Sequence, residues 1–190
     1  VLHGGHFYGG HIAMAMDSMK TAIANLADLA DRQIASLVDT KFNNGLPSNL
    51  SDSEAERRYI NHGFKAVQIG ASAYTAEALK LTMPASVFSR STECHNQDKV
   101  SMGTIASRDC LRILQLTEQV IASTLLASIQ GVRLRIKQGE LEFSSLTADM
   151  QAMYTDITHY FENLTEDRPM EAVLRQTISY IQEKRWALYE

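Results

Sequence analysis

The stretch DKVSMGTIASRDCLRILQLTEQVIASTLLASIQGVRLRIKQ, residues 98–138, decides the fold. Val100, Ile105, Ile113, Leu114, Leu116, Val120, Ile121, Leu125, Leu126 and Ile129 recur at helical spacing on more than one side. An α-helix apolar around much of its circumference belongs inside a bundle. Gly139 follows, where a left-handed residue commonly closes a helix. Downstream, Leu146, Met150, Met153, Ile157, Tyr160 and Leu164 form a fourth helical stripe, and Pro169 opens a fifth helix with Val173, Leu174, Ile178 and Ile181. Upstream, Ile12, Met16, Met19, Ile23, Leu26, Ala30, Ile34 and Leu37 fall three and four apart, which predicts a first helix over 10–39. The run Asn43-Asn44-Gly45-Leu46-Pro47-Ser48-Asn49 turns the chain. Ser51 and Ser53, with Glu54 and Glu56 behind them, offer caps for a second helix running to Pro84, broken near Asn61-His62-Gly63. Residues 84–97 lack periodicity and read as a loop. No stretch alternates as a half-buried strand does. The expectation is an all-α, long-helix bundle whose first three helices run roughly 30 to 40 residues, against a usual mean near 11 to 12.

With 190 residues, 45% hydrophobic and 21% charged, the composition is that of an ordinary folded domain. A net charge of −4 gives no clustered basic surface for phosphate backbones or anionic lipid, so no nucleic-acid and no membrane partner is expected. No apolar run approaches the roughly 20 residues of a membrane span. The first residues are not a basic-then-apolar export signal, so a cytoplasmic setting is expected. Cys94 and Cys110 cannot build a disulfide framework. The sequons at Asn49 and Asn163 lack such a signal and are discounted. Beginning on Val1, the chain reads as a piece of something longer.

Two segments do not look like helix filler: His3-Gly4-Gly5-His6-Phe7-Tyr8-Gly9-Gly10-His11 and Glu93-Cys94-His95-Asn96-Gln97-Asp98. Each precedes a long helix, whose amino terminus suits a carboxylate. His3, His6 and His11 lack the fixed spacing and carboxylate partner of a zinc signature, so no metal is expected; caps and backbone bonds are the plain reading for them. The run Ser91 to Gly103 closely resembles a signature of the histidine, phenylalanine and tyrosine ammonia-lyase family. Gly4-Gly5-His6-Phe7-Tyr8-Gly9 resembles its Gly-Asn-Phe loop, and Phe42-Asn43-Asn44-Gly45-Leu46-Pro47-Ser48-Asn49-Leu50 and Gly63-Phe64-Lys65 follow suit. Four motifs stand in the family's order between residue 3 and about 135; the last 50 residues are similar only in being helical.

The resemblance implies a homotetramer of long helices with sites shared between subunits, acting on a small aromatic amino acid. It also implies an electrophile, 4-methylideneimidazole-5-one (MIO), formed from an internal Ala-Ser-Gly. This chain contains no Ala-Ser-Gly, so it alone is not expected to catalyse, and the remainder of the polypeptide is its first partner. The family's catalytic Tyr and carboxylate-binding Arg would precede Val1. By resemblance, Phe7 lies beside the electrophile and substrate amine, and Lys65 and Ile69 line the aromatic-ring pocket. Glu93 stands near the amine, Asn96 and Gln97 hold the substrate or the electrophile's neighbourhood through their amides, and Asp98 caps the next helix. Gln97 stands where histidine-specific members carry Glu, so phenylalanine is favoured, with tyrosine open. His6 and Cys94 depart from the pattern, and Tyr8-Gly9-Gly10-His11 leans towards bacterial aminomutases. The implied organisation is a central long-helix region with active-site loops, 1–138, and a carboxy-terminal helical region, 139–190. The expected activity is ammonia elimination from phenylalanine to cinnamate, or a shift to β-phenylalanine. Tyrosine or histidine ammonia-lyase is the alternative, and a non-catalytic helical assembly module is the alternative of another class.

Overall fold

A computed structural model describes residues 1–4 and 7–186. The described residues form five α-helices: α1 Gly10–Val38, α2 Lys65–Lys80, α3 Gly103–Lys137, α4 Ala148–Tyr160 and α5 Glu171–Gln182. Among the described residues there is no strand, only an isolated antiparallel bridge between Thr92 and Gln97. The all-α expectation holds. No described helix is long and apolar enough to cross a membrane.

Two helix boundaries differ from the sequence reading. The second helix does not begin after Ser53; residues 54–64 form only a single 3-10 turn, Ala55–Arg57, and further turns. The Ser hydroxyls assigned as caps are used otherwise: Ser51 and Ser53 bond each other at 2.8 Å, and Ser53 donates to the Thr165 carbonyl at 2.6 Å. As a result α2 has 16 residues rather than thirty or more. Asp98 does not cap α3, which begins five residues later at Gly103; there the Ser101 hydroxyl accepts the Gly103 N–H at 3.3 Å. Gly139, at φ +73°, follows the end of α3 as expected. Thr147 caps α4 by accepting from Met150 N–H.

The chain forms two compact units. One contains residues 1–28 and 74–117, the other 29–73 and 118–190. In the first, Ala24, Ala78, Ile113 and Leu116 form a buried cluster flanked by Ile23 and Leu81. Small residues at helix contacts allow close approach, and this changes the reading of α1. Its buried positions in this unit are Ala13, Asp17, Lys20, Ala24 and Ala27, while Ile12, Met19 and Leu26 of the expected stripe are exposed. In the second unit Phe64 packs edge-on against Phe161, ring centroids 6.2 Å apart, and Ile34, Leu50, Val120, Leu126, Ile157 and Leu164 are also buried. The Arg133 guanidinium lies over the Phe161 ring at 5.1 Å.

Candidate functional site

The backbone between Thr92 and Gln97 sets the geometry. Thr92 N–H donates to the Gln97 carbonyl at 2.9 Å, and Gln97 N–H to the Thr92 carbonyl at 3.3 Å. Between them Glu93, Cys94 and His95 adopt φ of +57°, +53° and +67°. The left-handed region costs an L-residue roughly 1–2 kcal/mol, so such a run requires local support. Asn96 N–H donates to the Glu93 carbonyl at 3.0 Å, and the Ser91 hydroxyl lies 2.6 Å from His95 Nδ1. At the neck, the Ser89 hydroxyl donates to the Val100 carbonyl at 2.6 Å and accepts the Val100 N–H at 3.0 Å. A tight hairpin results, with residues 91–99 solvent-exposed.

This turn gathers three of the expected site residues. Glu93 Oε2 accepts from Gln97 Nε2 at 3.2 Å and from Asn96 Nδ2 at 3.4 Å. The two amides hold the carboxylate in one orientation, where a charge-assisted contact with an ammonium is available. Phe7, on the loop ahead of α1, is 86% exposed. Gly5 and His6, and with them part of the expected glycine loop, lie outside the described residues. Among the described residues no three His, Cys, Asp or Glu side chains gather as a metal would require.

Lys65 and Ile69 belong to the other unit. They stand one turn apart at the start of α2, both exposed. The start of that helix is set by Asp167, whose carboxylate accepts the N–H groups of His62 and Gly63 at 2.8–2.9 Å, and by the Phe64 N–H bond to the Asn49 carbonyl at 2.9 Å. Gly63 has φ +53°, and a Cβ there would lie 2.5 Å from the Asn49 carbonyl oxygen, so only glycine fits.

Residues that sequence reasoning missed are supporting ones. Lys20 and Asp17 are buried charges. Burial alone would raise the Asp17 carboxyl, but bonds from Lys20, the Ala85 and Ser86 N–H groups and the Ser86 hydroxyl outweigh it and lower it to about 2. Their only sequence signal was polar side chains spaced three apart along α1. Asp167 and the buried Gln130, which bonds the Leu50 carbonyl and the Leu164 N–H, gave none, because their partners lie far away in the chain.

The protein-family model described as aromatic amino acid lyase matches residues 1–158, past the four motifs and into α4. The chain is 38% identical over 169 residues to the tyrosine ammonia-lyase of Cereibacter sphaeroides, covering 89% of this chain and 31% of that protein. It is 31% identical over 183 residues to a histidine ammonia-lyase of Staphylococcus saprophyticus, covering 96% of this chain and 35% of that one. Among solved structures, the phenylalanine aminomutase of Pantoea agglomerans superposes with a TM-score of 0.86 at 30% identity, over 95% of this chain and 34% of that chain. The chain therefore spans about a third of the length of these proteins.

Proposed function

Because the chain belongs to the aromatic amino acid lyase family, we propose that the protein carrying it eliminates ammonia from an aromatic α-amino acid, phenylalanine first, as a lyase or an aminomutase. The observation that carries this reading is the Glu93 carboxylate held by two neutral amides, Asn96 and Gln97, on an exposed hairpin. A carboxylate attracts the substrate ammonium, while an amide at 97 gives an uncharged ring no ionic partner and a cationic ring no counter-ion. Phe7 supplies an apolar wall at the reacting end. By the family resemblance, Lys65 and Ile69, one turn apart on α2, would line an aromatic-ring pocket in the assembled whole protein, where a lysine can pack its aliphatic stem and keep its ammonium hydrated.

The exposed Phe7 ring and the amides of Asn96 and Gln97 suit a flat, neutral, carbonyl-bearing heterocycle such as MIO, offering an apolar face and N–H donors. That group supplies a covalent electrophile where the amine is a poor leaving group. The residues of this chain then orient the ammonium through the Glu93 carboxylate, which can afterwards accept a proton from it, while Phe7 offers an apolar surface to the reacting end. A tyrosine substrate is the second reading, favoured by 38% identity to a tyrosine ammonia-lyase. A homotetramer fits the uncovered apolar residues Ile12, Met14, Leu26, Leu29 and Leu111, and a cytoplasmic setting is part of the same proposal. Light scattering that gives a stable monomer of the whole protein would count against the tetramer.

The test is turnover by the whole polypeptide with L-phenylalanine, L-tyrosine and L-histidine offered separately. Cinnamate alone identifies a lyase, β-phenylalanine an aminomutase, and loss of activity towards all three a scaffold. Phe7→Ala and Glu93→Gln are expected to lower kcat by about 100-fold or more while the fold is kept. Gln97→Glu should shift preference towards histidine. Unchanged turnover in both of the first two variants removes the site assignment.

A further inference from the structure

Lys20 is fully buried in the first unit, yet it takes no part in the proposed chemistry. Its ammonium donates to the Met83 carbonyl at 2.7 Å and pairs with Asp17 at 2.9 Å, with Asp109 Oδ2 3.7 Å away. Asp17 in turn reaches the segment that follows Met83. Its Oδ1 accepts the Ala85 N–H at 2.9 Å, and its Oδ2 accepts the Ser86 N–H at 3.2 Å and hydroxyl at 2.9 Å. Two residues on one face of α1 therefore grip the backbone at 83, 85 and 86.

A buried ion pair is weak evidence for stability, since well-packed apolar residues often stabilise as much or more. What the pair adds here is direction: Lys20 ends on the Met83 carbonyl, and the Asp17 bonds end on particular atoms at the start of the turn Ala85–Phe88. Three residues past Ser86 the Ser89 hydroxyl closes the neck of the hairpin on Val100. The chain at the very start of this helix also meets the base of the hairpin at its other end. A Cβ on Gly103 would lie 3.3 Å from the Gly9 carbonyl, and one on Gly9 would lie 3.1 Å from the Ser101 hydroxyl. The Phe7 loop runs directly into α1, so one helix holds both sides of the 83–103 segment.

We propose that Asp17 and Lys20 are positioning residues that set where the Glu93–Asn96–Gln97 hairpin stands on α1. They act through the backbone of 83–86 and Ser89, not by touching substrate. The proposal rests on the reading of Glu93 as the carboxylate at the substrate amine. It predicts that breaking the grip shifts the hairpin and costs chemistry only as long as Glu93 is there to be misplaced.

The test is a double-mutant cycle on the whole polypeptide, with whichever of L-phenylalanine, L-tyrosine or L-histidine it turns over. Asp17→Asn should lower kcat/KM by on the order of 10- to 100-fold, chiefly through kcat, the size expected of a displaced catalytic group. In a Glu93→Gln background the same change should cost less than about threefold, because residues acting as a unit are non-additive. Ser86→Ala, which removes one bond and keeps the ion pair, should move both quantities in the same direction by less. It carries the test alone if Asp17→Asn does not fold. Hydrogen exchange over residues 88–100 should quicken in both variants. Additive losses, or unchanged exchange in that segment, overturn the proposal. Full turnover by Glu93→Gln itself would instead remove the assignment of Glu93, and the exchange result would still decide whether Asp17 anchors the hairpin.

Discussion

Replacing Gln130 by leucine should loosen two distant segments at once. Gln130 is fully buried on α3; its Nε2 donates to the Leu50 carbonyl at 3.1 Å, and its Oε1 accepts the Leu164 N–H at 3.3 Å. Leu50 and Leu164 are themselves buried, so water is poorly placed to replace the amide. Leucine has a similar volume and leaves no large cavity. It strands one donor and one acceptor, at roughly 1–3 kcal/mol each, offset by roughly 1–2 kcal/mol for burying an alkyl group in place of an amide. The net is about 2–3 kcal/mol, or roughly 30- to 150-fold in a local opening equilibrium. Hydrogen–deuterium exchange read by mass spectrometry over 48–53 and 161–166 of the whole protein measures this. Both segments should exchange faster together, with residues 88–100 unaffected. Unchanged exchange in both segments, with leucine confirmed at 130, would refute the reasoning that this amide joins them.

Gly63→Ala should destabilise by more than about 2 kcal/mol, because a positive φ and a Cβ 2.5 Å from the Asn49 carbonyl oxygen act together and backbone cannot yield as a side chain can; thermal unfolding reads it. Asp17 titrates at about 2, below its ordinary 3.8. It therefore contributes about 2 kcal/mol of stability that is fully present above pH ~4 and lost as pH falls from there through about 2. Acid unfolding of Asp17→Asn should lack that component, and an identical acid profile would contradict it. Cys94→Gly should leave stability unchanged or raise it by up to about 1 kcal/mol, since relief of a left-handed L-residue exceeds or balances the added unfolded-state entropy; denaturant midpoints decide.

Much of the candidate site was legible because it is local. Glu93, Asn96 and Gln97 lie within five residues, so any tight turn there brings them together, and the motif around them marks the family. The left-handed conformation that orients them was not legible, because no glycine or asparagine at 93–95 signals a positive φ. The start of α2 was misplaced for a related reason. Ser51 and Ser53 look like helix caps, but a partner more than a hundred residues away, the Thr165 carbonyl, competes for the Ser53 hydroxyl. The face of α1 was also misjudged, since periodicity weights large apolar residues, whereas closely packed helices bury alanine.

The sequence by itself determined that the chain is helical, where α1 runs, where α3 ends and which family the chain belongs to, because helical periodicity and short motifs are properties of neighbouring residues. The tertiary structure decided where α2 begins, which face of α1 is buried, and that Asp17 and Lys20 grip the segment leading to Glu93. Those outcomes depend on bonds such as Asp167 to Gly63, 104 residues apart, and Asp17 to Ser86, 69 apart. Such pairs meet only when the chain has folded, and no local pattern in the sequence announces them.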